Sequence, residues 1–308
     1  MHTNFPNGVT SFGVPTMGVG SLLPWGKTLF VQSVHSRASD SNKGEDKNRP
    51  LATIARAIAL CAANAGDHIL VGPGHSETIN EAGAITFDKA GLSMFGFGHG
   101  TLKPQIIFAT AQGADLNIDA ANTLIDNFLF TSGRDSLTGP IDVNAADFSL
   151  LNSEWRDGTA HQAVRALLAD ANASRLRIMN FRYDGDASAG ASEAISLAGC
   201  DGVLIDGFRI DGNFSVGCID LKTTAVTDLE VRNGIARNRN SADIFLADTI
   251  TGSTGMIGPN IFIRVADNAA NITEALGGAT LVYHPHIWIV NNAGEVAMAT
   301  NITASTDA

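Results

Sequence analysis

The chain has 308 residues, a mass of 32.1 kDa and a formal net charge of −11 at pH 7, with 17% charged residues and 32 glycines. This length can bury a large core without disulfides, and the low charge with many turn formers favours an all-β class over exposed helices. The acidic balance argues against a nucleic-acid partner, and the lack of a run of about 18 apolar residues argues against a membrane-spanning helix.

Residues 1–27 are predicted to form an extended apolar arm. They contain no Asp, Glu, Lys or Arg before Lys27, and their prolines and glycines interrupt any helix. Such a stretch is too apolar for a solvated linker, so we expect it to pack along its own domain or to contact another subunit or protein. The candidate contact residues are Phe5, Phe12, Val14, Leu22 and Trp25.

The same absence of early cations predicts no ordinary signal peptide, so we expect synthesis in a cytoplasm. The cysteines are odd in number and form no CxxC motif. We therefore expect three reduced, mostly buried thiols, Cys61, Cys200 and Cys218.

Residues 28–66 are predicted to hold a short strand, a polar loop and one helix. The strand covers residues 28–33, and the loop runs from His35 to Arg49. The helix opens at Pro50, has apolar residues at a helical spacing, and reaches a C-terminal cap at Gly66. A lone amphipathic helix ahead of a long β region is expected to cap a stack of strands.

Residues 67–283 contain a repeat of 26 or 27 residues. The repeat is aligned on one small polar residue, at Asn127, Ser153, Asn180, Gly207, Gly234 and Asn260. A second series, Ile195, Ile219 and Ile244, shares the period, which predicts two strands in each repeat. Short strands at this period without an internal helix are typical of a parallel β-helix, here of about eight or nine rungs.

Residues 284–308 are predicted to form a C-terminal β-hairpin and tail. Two apolar runs, 287–290 and 295–299, flank an Asn/Gly turn. The predicted fold is therefore all-β: a single-stranded parallel β-helix with an N-terminal arm, a cap helix and a terminal hairpin.

Two segments resemble known families. Residues 50–58 and 65–79 resemble the cap helix and first rung of pectate-lyase-like right-handed β-helix proteins. Residues 4–15 and 30–42 look like the opening of β-helix virion proteins of tailed bacteriophages. The resemblance covers about residues 1–80, and it implies a virion component, with a homotrimeric capsid decoration protein favoured over a tail spike.

Catalytic chemistry on such a fold needs carboxylates on neighbouring rungs, about 5–10 Å apart for glycoside hydrolysis. The candidates are Glu154 with Asp157 and Asp184, or Asp206 with Asp211 and Glu230. The residue set of polygalacturonases is absent, so the sequence predicts no enzyme. His284 and His286 could bind a metal with His68, His75 or His99, but we expect neither a metal nor a cofactor.

The sequence thus favours a structural protein of the outer capsid surface, with itself and the major capsid protein as partners through the arm. Neither nucleic acid nor membrane is an expected partner. Two alternatives stay open. One is a tail-spike-like depolymerase that uses Glu154, Asp184, Asp206 or Glu230, and the other is a non-catalytic β-helix that binds a glycan or receptor.

Overall fold

A computed structural model describes residues 10–11, 14–15, 26–109, 111–158, 161–188, 190–241, 244–266, 280–291 and 296–298. From Thr28 onward the chain winds into a right-handed parallel β-helix of about eight turns, as the sequence predicts. Before the C-terminal hairpin, each strand of the β-helix pairs in parallel with the strand one turn later, and one hydrophobic core fills the interior.

Three sheets form the walls, so a turn contains three strands rather than the predicted two. Sheet 1 consists of Thr28–Val31, His68–Val71, Ser93–Gly96, Leu124–Asp126, Ser149–Leu151, Arg177–Met179, Leu204–Asp206, Leu229–Arg232, Gly255–Ile257 and Leu281–Tyr283. Sheet 2 consists of Ser76–Ile79, Gln105–Phe108, Leu129–Ser132, Glu154–Asp157, Arg182–Asp184, Arg209–Gly212, Gly234–Asn238, Ile261–Arg264, Ile287–Val290 and Val296–Met298. Sheet 3 consists of Ile85–Phe87, Leu116–Ile118, Ile141–Val143, Leu167–Ala169, Ala191–Leu197, Phe214–Leu221 and Leu246–Asp248. The sequence reading merged the strands of sheets 1 and 2, because only the short corner at the left-handed residue, such as Asn127, separates them.

The cap helix is shorter than predicted. It covers Ile54–Leu60 and is N-capped by Thr53, whose hydroxyl accepts the Arg56 N–H at 3.2 Å. It does not begin at Pro50, because the Leu51 N–H instead donates to the Phe30 carbonyl. Its buried face still closes the first rung, as expected. The described residues also include a short 3₁₀ helix, Gly100–Leu102.

The turn between sheets 1 and 2 fixes the period of the fold. In six successive turns, one corner residue adopts the left-handed conformation, with φ between 48° and 70°. Asparagine and glycine tolerate this region best, which explains the repeat of small polar residues. The predicted alignment is displaced by one residue at Ser153 and at Gly234, since the left-handed residues are Asn127, Asn152, Asn180, Gly207, Asn233 and Asn260.

Side chains of these asparagines form hydrogen bonds between successive turns. The Asn180 amide donates to Asn152 Oδ1 at 3.0 Å, and the Asn260 amide donates to Asn233 Oδ1 at 3.0 Å. Gly207 interrupts the row, because a Cβ there would lie 2.6 Å from Asn180 Oδ1. These amides are exposed to solvent. Their hydrogen bonds therefore link the turns at the surface and do not serve to satisfy polar groups inside the core.

The residue after each left-handed position points into the core. This column contains Phe128, Ser153, Phe181, Phe208, Gly234 and Ile261. The second predicted series is correct for Ile195 and Ile219, which pair directly, but the next partner is Leu246 and not Ile244. A sheet-3 loop of unequal length shifts the register there.

Aromatic rings stack along the interior from rung to rung. Trp155 lies 5.7 Å from Phe108 and 6.4 Å from Tyr183, measured between ring centroids. Stacked and offset ring pairs add to the free energy gained by burying their area. Cys61, Cys200 and Cys218 are also buried and unpaired, as predicted.

The C-terminal hairpin is confirmed, because Ile287–Val290 pairs antiparallel with Val296–Met298. In the arm, Val14–Pro15 pairs with Thr10–Ser11, while Phe5, Phe12, Leu22 and Trp25 lie outside the described residues. The predicted segment boundaries at 27, 66 and 283 stay predictions. None of the helices in the described part of the chain has the length and apolar character needed to cross a bilayer.

We expect Asn180→Val to lower the free energy of unfolding by about 2–3 kcal/mol, since valine is strained at φ 53° and loses the amide ladder. Asn180→Gly keeps the backbone conformation and serves as the matched control, with a loss of about 1 kcal/mol or less. Urea unfolding of both variants measures the difference. Equal losses would contradict a backbone origin.

Candidate functional site

The three outer faces of the β-helix differ in chemistry, because alternate residues of each strand point outward. The outer face of sheet 2 carries five guanidinium groups and three carboxylates in a chain with a net charge of −11. The bases are Arg156, Arg182, Arg209, Arg237 and Arg264, and the acids are Glu154, Asp184 and Asp211. We call this surface the sheet-2 face.

The three acids of the sheet-2 face are all paired with arginines. Arg156 lies 2.6 Å from Glu154, and Arg182 lies 3.0 Å from Asp184. Asp211 is shared by Arg239 and Arg237. Within the described residues, Arg209 and Arg264 are exposed and have no carboxylate partner, so they are available to an anionic ligand.

A row of large apolar side chains lies beside these two arginines. Ile235, Phe262 and Trp288 occupy the same outward position on three successive strands. Ile235 is 49% exposed and Phe262 is 39% exposed. The Trp288 ring is stacked on His286 at an interplanar angle of 11°, which supports it from one side. The row provides flat apolar surface between cationic groups.

The predicted carboxylates do not form a single site. Glu154 and Asp184 lie on the sheet-2 face, where Arg182 contacts both, at 3.9 Å and 3.0 Å. Asp206 and Glu230 lie on the outer face of sheet 1, where Arg232 pairs with both of them. Asp211 belongs with the first group, not with Asp206, because it lies on sheet 2.

Asp157 has a structural role. It accepts hydrogen bonds from Trp155 Nε1 at 3.0 Å, from the Ser132 hydroxyl at 3.2 Å and from the buried Tyr183 hydroxyl at 3.3 Å. Burial raises the pKa of Asp157 and of Tyr183. These bonds tie three rungs together at the end of sheet 2.

Sheet 3 carries a further cluster of charged side chains, which the sequence analysis did not identify. Arg165 Nε lies 2.5 Å from Glu193 Oε1, and Lys222 Nζ lies 3.6 Å from Glu193 and 3.9 Å from Asp220. One oxygen of Glu193 and one of Asp220 are therefore at most about 7.5 Å apart, on either side of Lys222. Their separation of one repeat period was the signal that could have identified them.

The sheet-3 cluster is closed to a substrate in this conformation, because the side chain of Glu193 has no exposed surface. Burial, and then the negative charge of Glu193, raise the pKa of Asp220. The cluster therefore acts as a buried ion network across neighbouring strands.

The histidines considered for a metal site lie apart. His284 and His286 contact each other near the C-terminal end, with ring centroids 4.9 Å apart. His75 is buried and pairs with Glu77 at the capped end of the stack. In the described ranges, no three His, Cys, Asp or Glu side chains are grouped so that they could hold a metal ion.

Comparison with known proteins identifies the fold. No protein-family model matches the sequence, and no curated protein sequence matches it. A solved structure described as a rhamnogalacturonan lyase matches with a TM-score of 0.50 and 13% sequence identity, over 80% of this chain and 75% of that chain. The chain is thus a β-helix of the pectate-lyase-like architecture.

The prediction that the chain is not an enzyme is wrong on this comparison. The solved structure with the same fold is a lyase, which is a glycan-cleaving enzyme. Because β-helix sites are assembled from residues of several rungs, the absence of one family's residue set does not exclude cleavage. The fold is compatible with glycan binding or depolymerisation.

Stability of the sheet-3 cluster should depend on pH. The pKa of Asp220 is raised in the folded state, so the fold favours the protonated carboxyl group. The stability that protonated Asp220 contributes is full below about pH 4 and is lost as the pH rises through the pKa of the folded state. We expect Asp220→Asn to gain stability relative to the unchanged protein between about pH 4 and pH 7. Urea unfolding at both pH values tests this, and a constant difference would contradict it.

Proposed function

We propose that the chain binds an acidic polysaccharide along the sheet-2 face. The observation that carries the proposal is the row Ile235, Phe262 and Trp288 beside Arg209 and Arg264, which lack carboxylate partners among the described residues. Flat apolar surface suits the faces of sugar rings, and guanidinium groups suit carboxylates.

The geometry supports a polymer rather than a small ligand. Successive strands lie about 4.8 Å apart, so the row advances along the β-helix axis in even steps. Arg209 lies in the same outward column as the row, one strand before Ile235. Arg237 and Arg264 pair in register in the neighbouring outward column, beside the row. A chain of acidic sugars lying along the axis would meet similar groups at each step.

Electrostatics support an anionic ligand. Most of the protein surface repels anions, since the net charge is −11, but the sheet-2 face has an excess of arginine. A local cationic surface attracts and orients an anionic chain. Screening by salt should weaken the complex, because the contacts are exposed.

Binding can be measured with polygalacturonate as the acidic polymer and dextran as the neutral one. We expect Trp288→Ala and Arg209→Gln each to weaken polygalacturonate binding about tenfold or more, because each removes one contact of the row that would bind the polymer. Raising the salt from about 0.15 M to 1 M should weaken it further. Isothermal titration calorimetry provides the affinities.

Phe97→Ala is the matched control, since Phe97 is 49% exposed but lies away from the sheet-2 face. It should leave the affinity unchanged. Equal binding of dextran, or equal loss in the control, would refute acidic-polysaccharide recognition by this face.

Cleavage is tested in the same reactions. Glu154 and Asp184, held by Arg182, lie on the path that a bound polymer would follow. If the chain depolymerises its ligand, Glu154→Gln should abolish product release without loss of folding, as circular dichroism would verify. Elimination leaves an ultraviolet-absorbing unsaturated end and hydrolysis does not, so the product distinguishes the reactions.

A second candidate function is supported by the resemblance of residues 1–80 to phage virion proteins. In that function the chain would decorate the outer capsid surface as a homotrimer, fastened to the major capsid protein by Phe5, Phe12, Val14, Leu22 and Trp25 of the arm. Many weak contacts repeated over a symmetric shell would sum to a large stabilisation.

Deleting residues 2–24 should then abolish capsid occupancy while the β-helix stays folded, because the arm precedes the first strand of sheet 1. Quantitative protein composition of purified particles measures occupancy. Hundreds of copies on the head would support the decoration function, whereas unchanged occupancy after the deletion would rule out attachment by the arm.

A further inference from the structure

We propose that the outer face of sheet 1 binds a second copy of this chain. Every strand of sheet 1 except Leu229–Arg232 places an apolar side chain on the outside. These side chains are Phe30, Leu70, Phe95, Leu124, Leu151, Met179, Leu204, Met256 and Val282. They fall in two adjacent outward columns of the sheet, and we call them together the sheet-1 stripe.

The sheet-1 stripe differs from the other two outer faces in the number of large apolar side chains. Sheet 3 places mostly small or polar groups outward, such as Asn117, Asp142 and Asp220, and sheet 2 places arginines and acids outward beside its shorter apolar row. A row of leucine, methionine and phenylalanine on the outside of a sheet leaves apolar area in water unless another surface covers it. Val282 and Met256 are 64% and 37% exposed.

The size of the stripe fits a contact between folded copies. Ten strands about 4.8 Å apart and three residues wide give a surface about 45 Å long and about 10 Å wide. Two such surfaces face to face cover about 900 Å² in projection, close to the roughly 1,000 Å² that a specific protein interface needs. The stripe runs along the axis of the β-helix, so a second copy can lie along its whole length.

Charge also favours a second copy. Two chains of net charge −11 repel each other over most of their surface. The outward side chains of the sheet-1 strands include three acids, Asp126, Asp206 and Glu230, and two bases, Arg177 and Arg232, so the formal charge of this face is −1. The stripe is therefore a surface on which copies can approach with little net repulsion.

The apolar surface continues at the N-terminal end of the stripe. Phe30 and Leu70 form part of a cleft of about 430 Å³, whose wall also contains Phe97 and Pro73. This cleft extends the apolar area beyond the strands, and it increases the surface that an approaching copy could cover.

The test is the mass of the full chain in solution by light scattering after size exclusion, over a range of concentrations. We expect a multiple of 32.1 kDa. The variant Leu151→Lys with Met179→Lys should raise the dissociation constant at least about a hundredfold, because it places two cations in register at the centre of the stripe. The control Ile235→Lys adds a charge at an exposed apolar position of sheet 2 and should leave the mass unchanged.

A monomer at all concentrations would overturn the proposal, as would an oligomer that the double variant leaves intact. Deleting residues 2–24 separates the stripe from the arm: loss of the oligomer on deletion alone would assign association to the arm. Polysaccharide affinity of the double variant should equal that of the unchanged chain, so failure of self-association and failure of ligand binding are distinguishable.

Discussion

The backbone hydrogen bonds between successive turns are the constraint on which the rest of this structure depends. A strand can pair in register with its neighbours above and below only if each turn returns the chain to the same position. The left-handed residues at the corner of sheets 1 and 2 contribute to this, because they bend the chain from one sheet into the next at the same point in six successive turns. Asparagine adds a side-chain bond between turns, and Gly207 leaves space for the side chain of Asn180.

Once the corners are fixed, the three walls are free to differ outside while sharing one interior. Inside, apolar and aromatic residues stack column on column, and Asp157 accepts hydrogen bonds from Ser132 and Tyr183 of the adjacent strands. Outside, the walls differ: sheet 1 carries the most large apolar side chains, sheet 2 is rich in arginine, and sheet 3 carries the ion pairs of Glu193 and Asp220. Each wall runs the whole length of the β-helix. It can therefore contact an extended ligand, such as a polymer or a second β-helix, along that length.

The two proposed surfaces are compatible in one molecule. Association through sheet 1 would leave sheet 2 open, so an assembled particle could present several polysaccharide-binding faces at once. Such repetition increases avidity for a polymer without any change in the individual site. It would serve a glycan-cleaving protein and a virion protein equally, because both act on extended or repetitive surfaces.

The sequence by itself determined the parallel β-helix, its cap helix, its terminal hairpin and the buried cysteines, because these follow from local patterns: a period, a helical spacing and a turn between apolar runs. It placed the corner residues one position late at Ser153 and Gly234, since a count of small residues does not distinguish a left-handed asparagine from the inward residue after it.

Only the tertiary structure decided which outward residues share a wall. Arg232 joins Asp206 to Glu230, Arg182 joins Glu154 to Asp184, and Lys222 joins Glu193 to Asp220. The reason is physical: loops of unequal length shift the register between turns, so proximity on a wall depends on strand pairing and not on a fixed distance in sequence.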